Sequence, residues 1–299
     1  MKTIKQRISY AVMGLMAIGF TACTQNEDMA PTLNGQEINA TFSVGGMQTR
    51  VNTLGDGDSW EDKDKLKVSI FTDNDPGSTT VLSFNGETNE WSRSGSFRWL
   101  NEYEQHTILA VYPSDMDSWI YNLQYDLQTD QSSEGNLKNA DLITGYWHDV
   151  PRFDLISIPM KHRMSLVTIV YHVGTADYPN MDISEPQVYS KHTSVDFSRD
   201  DRGQFVMSTP TANPAWVKAY KHDDGMFSAI VIPGSYIKDE VFLKFMIGDN
   251  IFNAKMKMPT DFEEGKRYTY KLDVGKDKVK LTQISVDDMT GWTNEEDLK

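Results

Sequence analysis

With one cysteine, Cys23, in 299 residues, the chain cannot form an internal disulfide and offers no thiol set for zinc. The six histidines are scattered, and none stands in H-E-x-x-H or a comparable ligand spacing. There is no G-x-S-x-G elbow and no glycine-rich loop of the phosphate-cradling kind. Basic residues are scarce: Lys plus Arg is 29 against 43 Asp plus Glu, a net charge of −14. A surface of that sign repels nucleic acid and anionic headgroups, so no nucleic-acid partner is expected. These absences leave no recognisable set for nucleophilic or metal-assisted catalysis, and the expectation is a non-enzyme without cofactor or metal. A carboxylate pair for glycoside cleavage would meet in space rather than in sequence, and 43 acids give no basis for choosing two.

What is present begins at the N-terminus. Lys2, Lys5 and Arg7 precede an uncharged stretch, Ile8 to Phe20, of thirteen residues. That is short of the roughly 20 needed to span a bilayer, and has the size and flanks of a signal-peptide core. Phe20-Thr21-Ala22-Cys23 resembles a lipobox, with Phe20 where Leu is usual. The polar stretch Thr24 to Asp28 resembles the surface-export signal of Bacteroidetes lipoproteins. Cys23 is therefore the expected lipidation site. Two acyl chains, at about 0.8 kcal/mol per buried CH₂, give a stable hold on the outer membrane. Loss of residues 1–22 removes three positive charges and no acids, taking −14 to −17.

Residues 23–37 read as a lipidated start and polar linker, with Pro31 and Gly35. From Ile38 the pattern turns to short period-two runs separated by Gly, Asn, Asp and Pro. Leu66, Val68 and Ile70 alternate with polar neighbours; Val167, Ile169, Tyr171 and Val173 can share one face, with Thr168 and His172 on the other. Thr107 to Tyr112 is a β-rich run stopped by Pro113, and Phe242–Ile247 and Tyr268–Val274 repeat the alternating theme. Such runs mark antiparallel strands, and many of them in series predict an all-β sandwich or barrel. Helical signal is weak; its best candidate is Asn213 to Lys221, with Asn213 as N-cap and Pro214 at the first position. A division near Pro159 gives an N-terminal domain, 38–159, and a C-terminal domain, 160–299.

Two local features invite chemistry. The acid-rich stretch Asp56 to Asp64 hints at calcium, but the ligand spacing fails and a solvated turn explains it better. Seven tryptophans, five of them in the first half, suggest either a sugar platform or, more simply, packing of a β-sandwich.

The ordered landmarks of the chain resemble those of the fimbrillin family, the lipoprotein subunits of type V pili in Bacteroidales. Phe42 to Thr49-Arg50-Val51 resembles the family's first strand with its Thr-Arg-small pattern, and Trp60 precedes the strand Asp64 to Phe71. Ala110-Val-Tyr-Pro113, Ala140-Asp-Leu-Ile143, Pro159 to Tyr171, Gly265 to Tyr270 and Trp292 follow in order. Thr144-Gly145 departs from the commoner aromatic-Ala. The resemblance implies two transthyretin-like antiparallel β-sandwich domains behind the lipoprotein signal. It also implies other pilin subunits as partners, joined by β-strand exchange after a protease removes the N-terminal strand, and a surface glycan or protein receptor. Arg50 is then the candidate maturation site, with a packed surface residue as the equal alternative. The functional expectation is an adhesive fimbrial subunit; the rival is a surface lipoprotein binding glycans for nutrient uptake.

The C-terminal run carries its own signal. Val279 and Leu281 share one phase, Ile284 and Val286 the other. A one-residue slip turns every later side chain to the opposite face, so a bulge is predicted near Thr282-Gln283. These four residues are the candidate donor strand, with a bulged edge strand as the plainer alternative.

Overall fold

The computed structural model describes residues 32–44, 60–92, 96–116, 122–174, 182–223, 225–275 and 279–289. Cys23 and Arg50 lie outside them. The first strands are β1 (Ala40–Val44), β2 (Lys65–Phe71), β3 (Ser78–Asn85) and β4 (Glu90–Trp91). Then β5 (His106–Tyr112) and β6 (Asn122–Asp126) precede a short helix, α1 (Glu134–Asn139). After it come β7 (Ile143–Asp149) and β8 (Ile156–His162). A second series runs β9 (Ser165–Val173), β10 (Ile183–Ser190), β11 (Ser194–Arg199), β12 (Phe205–Met207), β13 (Ala215–Lys218), β14 (Tyr220–Lys221) and β15 (Met226–Val231). It ends with β16 (Gly234–Tyr236), β17 (Val241–Ile247), β18 (Asn250–Lys255), β19 (Thr260–Phe262), β20 (Lys266–Val274) and β21 (Val279–Asp288).

The fold is all-β, as the alternation predicts. Seven strands form one sheet in the order β1-β8-β7-β5-β2-β3-β4, antiparallel except for the parallel pair β1–β8. The five-stranded sheet β14-β15-β9-β20-β21 also contains one parallel pair, β9–β20. Smaller sheets, β13-β10-β17-β18, β12-β11-β6 and β16-β19, complete the packing. Each series thus starts with a strand that lies parallel to one of its latest, which closes the sheet over long sequence distance.

Two apolar cores result. β5 is buried along its whole length because it faces both. Ile108, Ala110 and Tyr112 point into the first core with Phe42, Trp60 and Leu66. Leu109 and Val111 point into the second with Leu123, Leu166 and Phe245. A strand covered on both sides reads as a continuous apolar run, as His106–Tyr112 does after its first two residues. β9 behaves similarly: Ser165 to Ile169 are all buried, so the expected two-faced alternation holds only beyond them. Buried Thr168 and Ser228 hydroxyls meet at 3.3 Å.

Two local expectations change. Asn213–Lys221 is not a helix: Ala215–Lys218 and Tyr220–Lys221 are strands β13 and β14. Trp216 pairs with Tyr189 of β10, their rings 5.3 Å apart, and Val217 is fully buried. A nine-residue helix gains little from propensity alone, whereas these aromatic and β-branched side chains gain packing as strands. The helix that does form, α1, has Ser133 as its N-cap, accepting from the Asn136 N–H. Pro159, the expected dividing point, lies inside β8, facing Ser43 of β1; the β7 ladder begins only at Met160, so no bond to β7 is lost.

The turn Asp73 to Gly77 follows its chemistry. Asp75 accepts from the Gly77 N–H at 2.8 Å, and Gly77 has φ +62°. A side chain there would meet the Ile70 carbonyl oxygen at 1.8 Å.

Candidate functional site

The residues that sequence pattern marks for assembly fall at the two ends of the described chain. At the N-terminal end, residues 35–44 form an outer rim of the seven-stranded sheet. Gly35 N–H donates to the Trp99 carbonyl at 2.9 Å, and Ile38 N–H donates to Phe97 at 3.1 Å. Arg98 returns contacts to the Gly35 carbonyl at 2.8 Å and the Glu37 carboxylate at 3.0 Å. The chain then crosses to β8, where Ala40 to Val44 pair with Ile156 to Met160.

Among the described residues β1 has only β8 as a sheet neighbour, which makes it an edge strand, yet its side chains are deeply held. Phe42 and Val44 are each 1% exposed. The Trp60 indole N–H donates to the Phe42 carbonyl at 2.7 Å, and the Trp91 ring meets Phe42 edge-on at 5.4 Å. Beside β1 lies a cleft of about 260 Å³, lined by Ile38, Ala40, Leu82, Trp91, Phe97 and Leu155 among others. Trp60 and Trp99 are buried, and Trp91, Trp147 and Trp216 are half-buried. Trp91 packs on Trp60, Trp147 on Trp99 and Trp216 on Tyr189, so these five serve packing. Trp119 and Trp292 lie outside the described residues.

At the other end β21 is an edge strand of the five-stranded sheet among the described residues. Val279 opposes Val274 and Leu281 opposes Leu272; the register then shifts between Gln283 and Ser285. Ile284 is the extra residue, one place beyond the position expected from the sequence. Leu281 is buried, whereas Ile284 and Val286 are 47% and 46% exposed. They border a groove of about 520 Å³ whose far side carries Met256, Met258 and Thr260. The end of β21 is fastened by the Met289 N–H to the Gly265 carbonyl at 2.7 Å.

The described part of the acid-rich stretch, Trp60 to Asp64, is a turn that joins the first core to α1. Asp64 accepts from the Glu61 N–H at 2.7 Å, and Glu61 pairs with Lys138 at 2.6 Å. Burial, partly offset by that hydrogen bond, pushes the Asp64 carboxyl up to about 6 from 3.8. A carboxyl that binds its proton more tightly when folded favours the folded state increasingly as pH falls from above 6 towards 4. Asp64→Asn, which keeps the acceptor, should therefore stabilise the chain by about 1–3 kcal/mol at pH 7.5. The gain should vanish near pH 4, as thermal melts of both proteins at the two pH values will show.

Among the described residues no helix is long and apolar enough to cross a membrane. The model of a family described as fimbrillin-like matches residues 49–290. No curated protein matches the chain. Among solved structures, a proposed cell adhesion protein of Bacteroides ovatus is similar with a TM-score of 0.64 at 14% identity, over 85% of this chain and 97% of its own. A second proposed cell adhesion protein, of Bacteroides uniformis, gives 0.57 at 14% identity, over 83% and 97%. At such identities the likeness is one of fold.

Proposed function

Because the chain belongs to the fimbrillin-like family, we propose that it is an adhesive structural subunit of a cell-surface fimbria, joined to its neighbours by strand exchange. The observation that carries the reading is the position of β1. It is an edge strand whose apolar side chains fill the first core, and it lies only a few residues before Arg50. In this reading the chain is exported as a lipoprotein held at the outer membrane through Cys23. A trypsin-like protease cuts at Arg50, and β1 leaves. Its departure uncovers the outer edge of β8 and the faces of Trp60, Trp91 and Met160. An extended strand from a second subunit then replaces both the ladder hydrogen bonds and the apolar side chains, the physics of β-augmentation. The first series of strands is the receiving part and the second the donating part. The exposed edge of β21 supplies the donor, through Val279, Leu281, Ile284 and Val286.

The test is limited digestion of the folded full chain with a trypsin-like protease, followed by electrophoresis without boiling. The expected result is cleavage at Arg50 and an SDS-resistant ladder. A trimmed product that stays monomeric would refute strand exchange between copies of this chain.

The donor assignment has its own test. Ile284 and Val286 are already half-exposed in the monomer, so replacing both with lysine should change monomer stability by no more than about 0.5 kcal/mol. If they enter a neighbour's groove, the same double variant should abolish the ladder. An undiminished ladder would remove β21 from the donor role.

A further inference from the structure

A further cleft is separate from both strand sites and lies where three segments distant in sequence converge. Its floor is the face of the seven-stranded sheet directed at β11, with Phe71, Thr107, Tyr146 and His148; its wall is the turn from Arg199 to Gly203 between β11 and β12. The volume, about 740 Å³, falls in the range of small-ligand pockets, roughly 300–1,000 Å³.

The walls are braced before anything binds. Asp200 Oδ1 accepts from the N–H groups of Arg202 and Gln204, both at 2.9 Å, and the Gly203 N–H donates to the Asp200 carbonyl at 2.8 Å. The Tyr146 hydroxyl donates to the Arg202 carbonyl, tying the turn to the sheet. Gly203 has φ +84°, and a side chain there would press on the Tyr146 ring at 3.2 Å. On the floor, His148 is fixed through Nδ1 to the Thr107 hydroxyl at 2.9 Å and through Nε2 to Gln105 at 3.2 Å. The Arg199 guanidinium lies over the Phe71 ring at 4.9 Å. Walls held in this way lose little conformational entropy on binding.

The polar groups around this cleft have both signs. Asp73, Asp200 and Asp201 supply carboxylates, and Arg199 and Arg202 supply guanidinium groups. An anionic ligand would face three carboxylates and a cationic one two guanidinium groups. A neutral polyol satisfies both, donating hydroxyl protons to carboxylates and accepting from guanidinium N–H, while its C–H face rests on an aromatic ring. We propose that this cleft is a binding site for a neutral saccharide. The site stands apart from strand exchange and from any particular anchor, and it places saccharide contact on Tyr146 rather than on a tryptophan platform.

The test is saturation-transfer NMR on the full chain with a set of neutral oligosaccharides (lactose, maltose, cellobiose and mannobiose), with sialyllactose as the anionic control. Transfer to at least one neutral sugar is expected, with affinity falling about tenfold or more in Arg199→Gln and in Asp201→Ala. Asp201 is exposed and its replacement should leave the fold intact, which circular dichroism checks. Trp216→Ala, outside the cleft, should bind like the parent. No transfer from any neutral sugar, transfer only to sialyllactose, or binding unchanged in both cleft variants would each overturn the proposal. None of these outcomes bears on the protease ladder.

Discussion

Phe42→Ala is expected to lower the free energy of unfolding by about 3–5 kcal/mol, the usual cost of truncating a buried phenylalanine. The Phe42 ring meets Trp91 edge-on, and Trp91 also packs against Trp60 at 5.0 Å and Phe84 at 5.2 Å. Filling the resulting space would require Trp60 to move, at the expense of its buried hydrogen bond to the Phe42 carbonyl. The cavity should therefore persist. Urea unfolding should show a lower midpoint with an unchanged slope. A loss below about 1 kcal/mol would mean that β1 is not part of the cooperative unit. The functional consequence follows from the same number. An intact β1 held this firmly leaves too rarely for a neighbour's strand to replace it, which makes exchange wait for proteolysis. With Phe42→Ala, SDS-resistant species should form without protease.

The second large effect concerns a buried carboxylate hydrogen-bonded to a histidine. The Asp141 side chain is wholly buried, and its Oδ2 meets His162 Nδ1 at 2.8 Å. Its other oxygen has no hydrogen-bond partner among the described residues. The negative charge is felt nearby: burial first, and then Asp141 and Asp126, hold the Tyr125 hydroxyl well above its ordinary range. Burial, followed by the charges of Asp64 and Asp141, does the same to Tyr112. His162→Ala removes the one partner of a buried carboxylate, a change that typically costs about 3–5 kcal/mol. Asp141→Asn in the same chain should recover part of that loss, because no unpaired charge then remains inside. Urea midpoints of the two single variants and the double variant will decide it. Additive losses would show that the two side chains do not act as a pair.

How far these sites were legible varies with how local they are. Lys65 to Phe71 alternates clearly, and it folds as a strand with Leu66, Val68 and Ile70 in the first core. The slip between Leu281 and Ile284 was visible because side-chain phase in a strand is fixed by counting. The bulge lies at Ile284 because the partner residues Thr269 and Tyr270 of β20 keep their own order. Asn213 to Lys221 misled because cap residues describe a helix start only if the following segment has no better place to pack. Trp216 and Val217 had one beside β10.

Other features had no local signal at all. Gln131 is fully buried and stands in for a strand, accepting from the Ile230 N–H at 2.7 Å and donating to the Ile230 carbonyl at 3.0 Å. Nothing around it in sequence names Ile230. The saccharide cleft is similar: Phe71, Tyr146 and Arg199 come from β2, β7 and β11, and no spacing rule links them.

The sequence by itself determined that the chain is built of strands and that the C-terminal phase slips between Leu281 and Ile284. Each of these is written in the period or identity of adjacent residues. Only the tertiary structure decided that β1 lies parallel to β8 at a sheet edge, that β5 is shared by two cores, and that a braced cleft opens beside Tyr146. Those follow from which distant strands pair, and pairing is set by the burial of whole faces, to which no single segment holds the pattern.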